Sequence, residues 1–215
     1  FDSQYTDYKC TNTPAGRDLL KEFVDAFRAE GIRIGLYYSL IDWHHPDFTI
    51  DVNHPRRDDP DARQQNEGRD MHRYAEYMRN QVRELLTNYG KIDIMWFDFS
   101  YSQRHGEGDK AWLGGKGKDD WESEKLIALA RSIQPEIIID NRTEIEQDLW
   151  TPEQFQPTDW FRHPKTGELV VWEACQTLSG SWGYYRDEYT WKSPEMLIRM
   201  LISTVSNGGN LIMNV

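Results

Sequence analysis

The 215-residue chain carries a formal charge of -11, from 25 Lys and Arg against 36 Asp and Glu. That balance repels phosphate backbones and anionic membranes, so it sets nucleic acid aside as a partner and favours neutral or cationic ligands. Hydrophobic residues make up only 38%, but 9 Trp and 11 Tyr supply flat rings with polar edges, good platforms for the apolar faces of sugars and bases. The length suits one domain with a substantial core. No apolar stretch is long enough to span a bilayer, and no basic region leads into an apolar signal segment. Cys10 and Cys175 form no CxxC pair, which leaves the compartment open. Phe1-Asp2-Ser3 starts without Met and Asn210 to Val215 stops inside a strand pattern, so more chain is expected on both sides.

In chain order, Arg17 to Glu30 places Leu19, Leu20, Phe23, Val24 and Phe27 at helical spacing, and Gly31 ends the pattern. Ile32 to Ser39 reads as a strand with Tyr37 and Tyr38 at its carboxyl end. Leu40 to Arg69 is a long polar loop holding Trp43, His44, His45 and His54. A helix over Asp70 to Tyr89, stopped at Gly90, leads into the run Ile92 to Phe99. That run is short, β-branched and aromatic, with apolar residues on both faces, as in a buried parallel strand. Asp98 lies at its carboxyl end, the side from which the loops that gather substrate leave an α/β sheet.

After a polar loop, Trp121 to Gln134 is a helix ended by Pro135, and Glu136 to Asp140 is a strand leading to Asn141-Arg142. Thr143 to Glu168 reads as another long loop, holding Thr151-Pro152-Glu153 and Trp160. Leu169 to Ala174 is a fourth strand, Ser193-Pro194-Glu195 opens a helix through Ser206, and Asn207-Gly208-Gly209 turns into a last strand. Strands separated by helices predict an α/β fold with a parallel sheet. Neither GxGxxG nor GxxxxGK[ST] occurs, which argues against an open nucleotide-binding sheet. The expected architecture is a (β/α)8-like TIM barrel, truncated at its N-terminus and at its C-terminal end. About five strands are present, and residues 1–215 form a single partial catalytic domain.

Tyr37, Trp96, Asp98, Arg142, Glu153 and Glu173 gather at the strand ends, with Trp43, Trp160 and Trp182 in neighbouring loops. Each taken alone has an ordinary structural role: an ion pair, a core ring, a cap. Two carboxylates amid aromatics on one face are what glycosidic cleavage needs, one to protonate the leaving oxygen and one to meet the oxocarbenium ion. The spacing of His44, His45 and His54 matches no metal site, and these read as solvated loop histidines.

The chain resembles glycoside hydrolase family 29, the α-L-fucosidases. The resemblance runs through Phe1-Asp2-Ser3, Tyr5-Thr6-Asp7-Tyr8, Gly16-Arg17-Asp18, Gly35-Leu36-Tyr37-Tyr38-Ser39 and Trp96-Phe97-Asp98. It continues in Asn141-Arg142, Thr151-Pro152-Glu153, Trp172-Glu173, Ser181-Trp182-Gly183-Tyr184 and Gly208-Gly209-Asn210-Leu211. It implies a retaining hydrolase that releases terminal α-L-fucose from a fucosylated oligosaccharide or glycoconjugate, with Asp98 as nucleophile and Glu153 as general acid/base. It further implies substrate contacts from Tyr37, Trp96 and Arg142, a sugar-binding His-His pair just ahead of Phe1, and no metal or cofactor. The alternatives are a carbohydrate-binding paralogue without turnover, an exo-glycosidase for a galactose-like sugar, and a nucleotide or phosphate enzyme. Retention of both Asp98 and Glu153 argues against the first, and the acidic balance with no phosphate loop against the last.

Overall fold

The computed structural model describes residues 1–215, which divide into two compact units, Phe1–Ile145 and Glu146–Val215. In the first, Asp18 accepts hydrogen bonds from the Leu20 and Lys21 amides and so caps α1, Leu19–Ala29. β1 is Gly35–Ser39, three residues shorter at its start than the apolar run suggests. A short helix, α2 (Ala62–Gln65), interrupts the long segment that follows. α3 (Met71–Asn88), capped by Asp70, precedes β2 (Ile94–Asp98), and α4 (Ser123–Ile133) precedes the two-residue β3, Ile138–Ile139.

β1, β2 and β3 form a parallel sheet in that order, with Tyr37 beside Trp96, Ser39 beside Asp98 and Met95 beside Ile139. α3 buries Tyr74, Met78, Val82 and Leu85 at helical spacing, in one core with Leu36, Tyr38, Met95 and Phe97. Its polar groups do further work. Tyr74 Oη donates to the Leu40 carbonyl at 2.8 Å and Tyr77 Oη to Asp42 at 3.2 Å, which ties down the chain leaving β1. Buried Glu84 accepts from Ser3 Oγ at 2.7 Å and the Gln4 amide at 2.8 Å.

The segment Leu40 to Arg69 is an ordered structure around buried Phe48, Ile50, Asp51 and His54. It is pinned to the loop after β2 by a buried ionic cluster. Lys116 Nζ lies 3.6 Å from Asp51 and 2.6 Å from Thr49 Oγ1, and Tyr101 Oη donates to Asp51 at 2.7 Å. Burial pushes the Lys116 ammonium down from its ordinary value, opposed by the Asp51 charge. The expectation of solvated histidines holds for exposed His44 but not for the other two. His45 packs on Tyr77 at 4.2 Å and His54 is buried beside Phe48, and burial pushes both imidazoles down.

In the second unit, β4 (Glu173–Thr177) pairs in parallel with β5 (Asn210–Asn214), joined through α5 (Pro194–Ser206). The Ser193 cap and first-turn proline of α5 are as the sequence predicts. β4 is not. The expected strand Leu169–Ala174 is displaced toward the C-terminus, because Leu169 instead pairs antiparallel with Arg162 in a hairpin. Gln176 and Thr177 are polar yet buried within β4, where Gln154 Nε2 and Lys192 Nζ donate to Thr177 Oγ1 at 3.3 and 3.2 Å. Polar residues satisfied inside a sheet defeat a reading that looks for apolar runs.

Both sheets are parallel and their strands are separated largely by helices, which establishes the α/β class.

Candidate active site

Successive residues of a strand face opposite sides of its sheet. Met95 and Phe97 of β2 therefore turn into the core with Leu36 and Tyr38, which leaves Tyr37, Trp96 and Asp98 together on the other face. Tyr37 Oη donates to Asp98 Oδ2 at 2.8 Å. The Tyr37 and Trp96 rings stack with centroids 5.7 Å apart and planes 22° from parallel. Extending the Met95 to Ile139 pairing by three residues brings Arg142 level with Asp98. Arg142 Nη1 donates to Asp98 Oδ1 at 2.9 Å, and its guanidinium lies 4.5 Å over the Trp96 ring.

Each carboxylate oxygen of Asp98 thus accepts from a separate donor, one cationic and one phenolic. The side chains of Asp98 and Arg142 are 18% and 15% exposed, enough to be reached from solvent but held by neighbours. Trp96 is buried beneath them, and Tyr37, at 59% exposure, is the open ring of the group. The chain then turns sharply: Phe99, the residue after Asp98, has φ +78°, a left-handed conformation that side chains avoid.

Glu153 belongs to the second unit and is exposed. It does not sit in a free loop. The Trp150 amide donates to the Val171 carbonyl at 2.9 Å, Glu173 to Trp150 at 2.8 Å, Cys175 to Pro152 at 3.2 Å and Gln154 to Cys175 at 3.0 Å. Trp150 pairs with Trp172 and Glu153 with Cys175 in one parallel register, so residues 150–154 run as a short edge strand beside β4. Gln154, directly after Glu153, also has positive φ, +50°. Glu173 lies at the amino start of β4 and is buried, not at the carboxyl end where the displaced strand would have placed it. Trp160 and Trp172 lie on the turn after α5: a Cβ on Gly208, whose φ is +72°, would come within 2.4 Å of the Trp160 ring, and one on Gly209 within 2.3 Å of Trp172.

The profile of the alpha-L-fucosidase family matches residues 1–215. This chain belongs to that family. It is 29% identical over 211 residues to the plasma alpha-L-fucosidase of Homo sapiens, a match covering 93% of this chain and 38% of the relative. Alpha-L-fucosidase isoenzyme 1 from Paenibacillus thiaminolyticus superposes on all of the chain with a TM-score of 0.87 at 43% identity, over 50% of its own length. An alpha-L-fucosidase GH29 from Bacteroides thetaiotaomicron does so with a TM-score of 0.76 at 27% identity, over 47%. The chain spans half or less of each of these relatives.

Within this fucosidase-family chain, the first unit brings together four of the five residues to which the resemblance gives a role: Tyr37, Trp96, Asp98 and Arg142. Sequence reasoning passed over Asp140, a fully buried carboxyl two residues before Arg142. The signal was available, since Asp140 ends the run Ile137-Ile138-Ile139 much as Asp98 ends its own strand. Phe99 gave no signal, because a left-handed turn is ordinarily announced by glycine or asparagine.

Proposed function

We propose that this chain carries the nucleophile and the general acid/base of a retaining α-L-fucosidase, which releases terminal α-L-fucose from fucosylated oligosaccharides or glycoconjugates. One observation carries the reading: Asp98 sits at a strand's carboxyl end with Tyr37 and Arg142 donating to different oxygens, so its position and orientation are fixed before substrate arrives. Asp98 attacks the anomeric carbon as the glycosidic bond breaks, and Glu153 gives its proton to the leaving oxygen. In the second half Glu153 takes a proton from water, which attacks the same carbon and displaces Asp98. Two displacements restore the original anomeric configuration. Trp96 and the more open Tyr37 ring line the sugar, and Arg142 holds the nucleophile and lies beside the fucose. Carboxyl groups move every proton in this cycle, so it calls for no metal or cofactor.

The α/β units and their parallel strands support a (β/α)8-like barrel as the fold of the whole catalytic domain, of which residues 1–215 are one part. The test is trapping. A 2-deoxy-2-fluoro fucosyl fluoride applied to the full-length protein should inactivate it slowly and label the peptide containing Asp98, and hydrolysis of an aryl fucoside should give the α-anomer first. A label on another carboxylate, or an inverted first product, removes Asp98 from this role.

A further inference from the structure

Asp140 lies one residue beyond β3, level with Trp96 when the Met95 to Ile139 pairing is extended, and two residues before Arg142. Its side chain is fully buried. Oδ1 accepts the Arg142 amide at 3.3 Å, a side-chain to backbone turn that sets the direction in which the chain leaves the strand. On the far side of that turn, Ser123 Oγ at the start of α4 donates to the Thr143 carbonyl at 2.9 Å. Oδ2 is also buried and has no hydrogen-bond partner. An ionised carboxylate there would place charge on a buried oxygen that accepts no well-formed hydrogen bond, whereas a neutral carboxyl leaves only an unused hydroxyl.

The charges that act on Asp140 point the same way. Burial pushes its carboxyl up to about 8, and the Asp98 charge adds to the rise against the opposing Arg142 amide and guanidinium and the Phe97 amide. One cation stands near two acids, and its Nη1 donates to Asp98 at 2.9 Å. Ionising Asp140 would set a further anion, two residues away, pulling on the guanidinium that holds Asp98.

We propose that Asp140 is a positioning residue: as a buried neutral acid it fixes the turn that aims Arg142 at Asp98, and its ionisation spoils that aim. The inference rests on the reading of Asp98 as nucleophile. It assigns the alkaline limit of activity to a group that never touches the sugar.

The experiment uses the full-length protein and 4-nitrophenyl α-L-fucoside, whose leaving group needs little help from a proton donor, so the Glu153 proton contributes little to the alkaline limb. Asp140→Asn keeps the Oδ1 acceptor but cannot ionise. The parent's normalised kcat/KM profile should fall with an alkaline midpoint near pH 8, and in Asp140→Asn that midpoint should be displaced upward by about one pH unit or more. Asp140→Ala, which deletes the acceptor, should lose at least about tenfold in kcat/KM, most of it restored in Asp140→Asn. Identical alkaline limbs in the parent and Asp140→Asn overturn the proposal. Isotope-edited infrared spectroscopy reads the same group without activity. A protonated aspartic carboxyl band should titrate near pH 8 in the parent and be missing from Asp140→Asn; no such band overturns the proposal, even if a variant fails to fold. A fluoro-sugar label on a carboxylate other than Asp98 refutes the nucleophile reading separately, since the infrared titration does not depend on it.

Discussion

Asp98→Asn separates the fold from the chemistry. The amide oxygen can still accept from Arg142 Nη1, now 2.9 Å from Oδ1, and the new NH2 faces Tyr37 Oη, 2.8 Å from Oδ2, whose hydroxyl can rotate to accept. The shape and both hydrogen bonds survive, and only the charge is lost. Two unit charges 4 Å apart attract by about 4 kcal/mol at an effective dielectric of 20, but desolvation of both groups offsets most of this. Asp98 and Arg142 are each partly exposed, so a net loss of about 1–2 kcal/mol is expected, a fall in Tm of a few degrees. Turnover should fall far more, by roughly three to six powers of ten, because a carboxamide cannot form the glycosyl ester. Thermal melts and kcat on an aryl fucoside, measured on the same full-length preparation, make the comparison. A variant that melts within a few degrees of the parent and keeps kcat within about tenfold would falsify the covalent role.

The other expected outcomes concern the second carboxylate, the loops and acid stability. Glu153→Ala should be slow on natural substrates and be rescued by azide on an activated aryl fucoside, giving a fucosyl azide; rescue of Glu173→Ala instead would transfer the role. Lys116→Ala leaves Asp51 buried with the Tyr101 hydroxyl and the Asn53 and His54 amides but no cation, and should cost about 3 kcal/mol in denaturant unfolding. A cost under about 1 kcal/mol would mean that the pair does not hold the loops together. Glu122 is held by Lys125, with His72 and Arg79 assisting, and its carboxyl lies at about 2 against an ordinary 4.5. Such an acid stabilises the fold above the ordinary value and loses that contribution as pH falls toward the lowered one. Melting temperatures of the parent and Glu122→Gln should therefore differ at pH 6 and converge between about pH 4.5 and 2; a constant gap contradicts the assignment.

The parts legible in the sequence were those where one signal decides locally. Ser193 marks the start of α5, and its side chain accepts the capping hydrogen bond from the Met196 amide; Asp18 and Asp70 cap α1 and α3 in the same way, although apolar spacing and stop signals alone place those helices in the sequence. The alternation through Ile94 to Asp98 placed Trp96 and Asp98 on one face, and their meeting with Tyr37 follows from strand pairing. What stayed hidden depends on partners distant in sequence. Gln176 and Thr177 of β4 look like loop residues, yet both are buried, and Lys192 and Gln154, distant in sequence, supply the hydrogen bonds to Thr177. The edge strand at residues 150–154 has no apolar run, because its hold on β4 is through backbone groups. Asp140 carries the same strand-end mark as Asp98, and its complete burial comes from packing that the sequence does not display.

The left-handed residues that follow Asp98 and Glu153 limit how this protein can be improved. Phe99, at φ +78°, and Gln154, at +50°, hold conformations that glycine adopts freely, at a cost of roughly 1 kcal/mol each. Phe99→Gly relieves that backbone but gives up the covered half of a ring that is 45% exposed and adds freedom to the unfolded chain, so it should gain no stability overall. The same change loosens the backbone directly behind Asp98, so on the reading of Asp98 as nucleophile position 99 should tolerate substitution for stability better than it tolerates substitution for turnover.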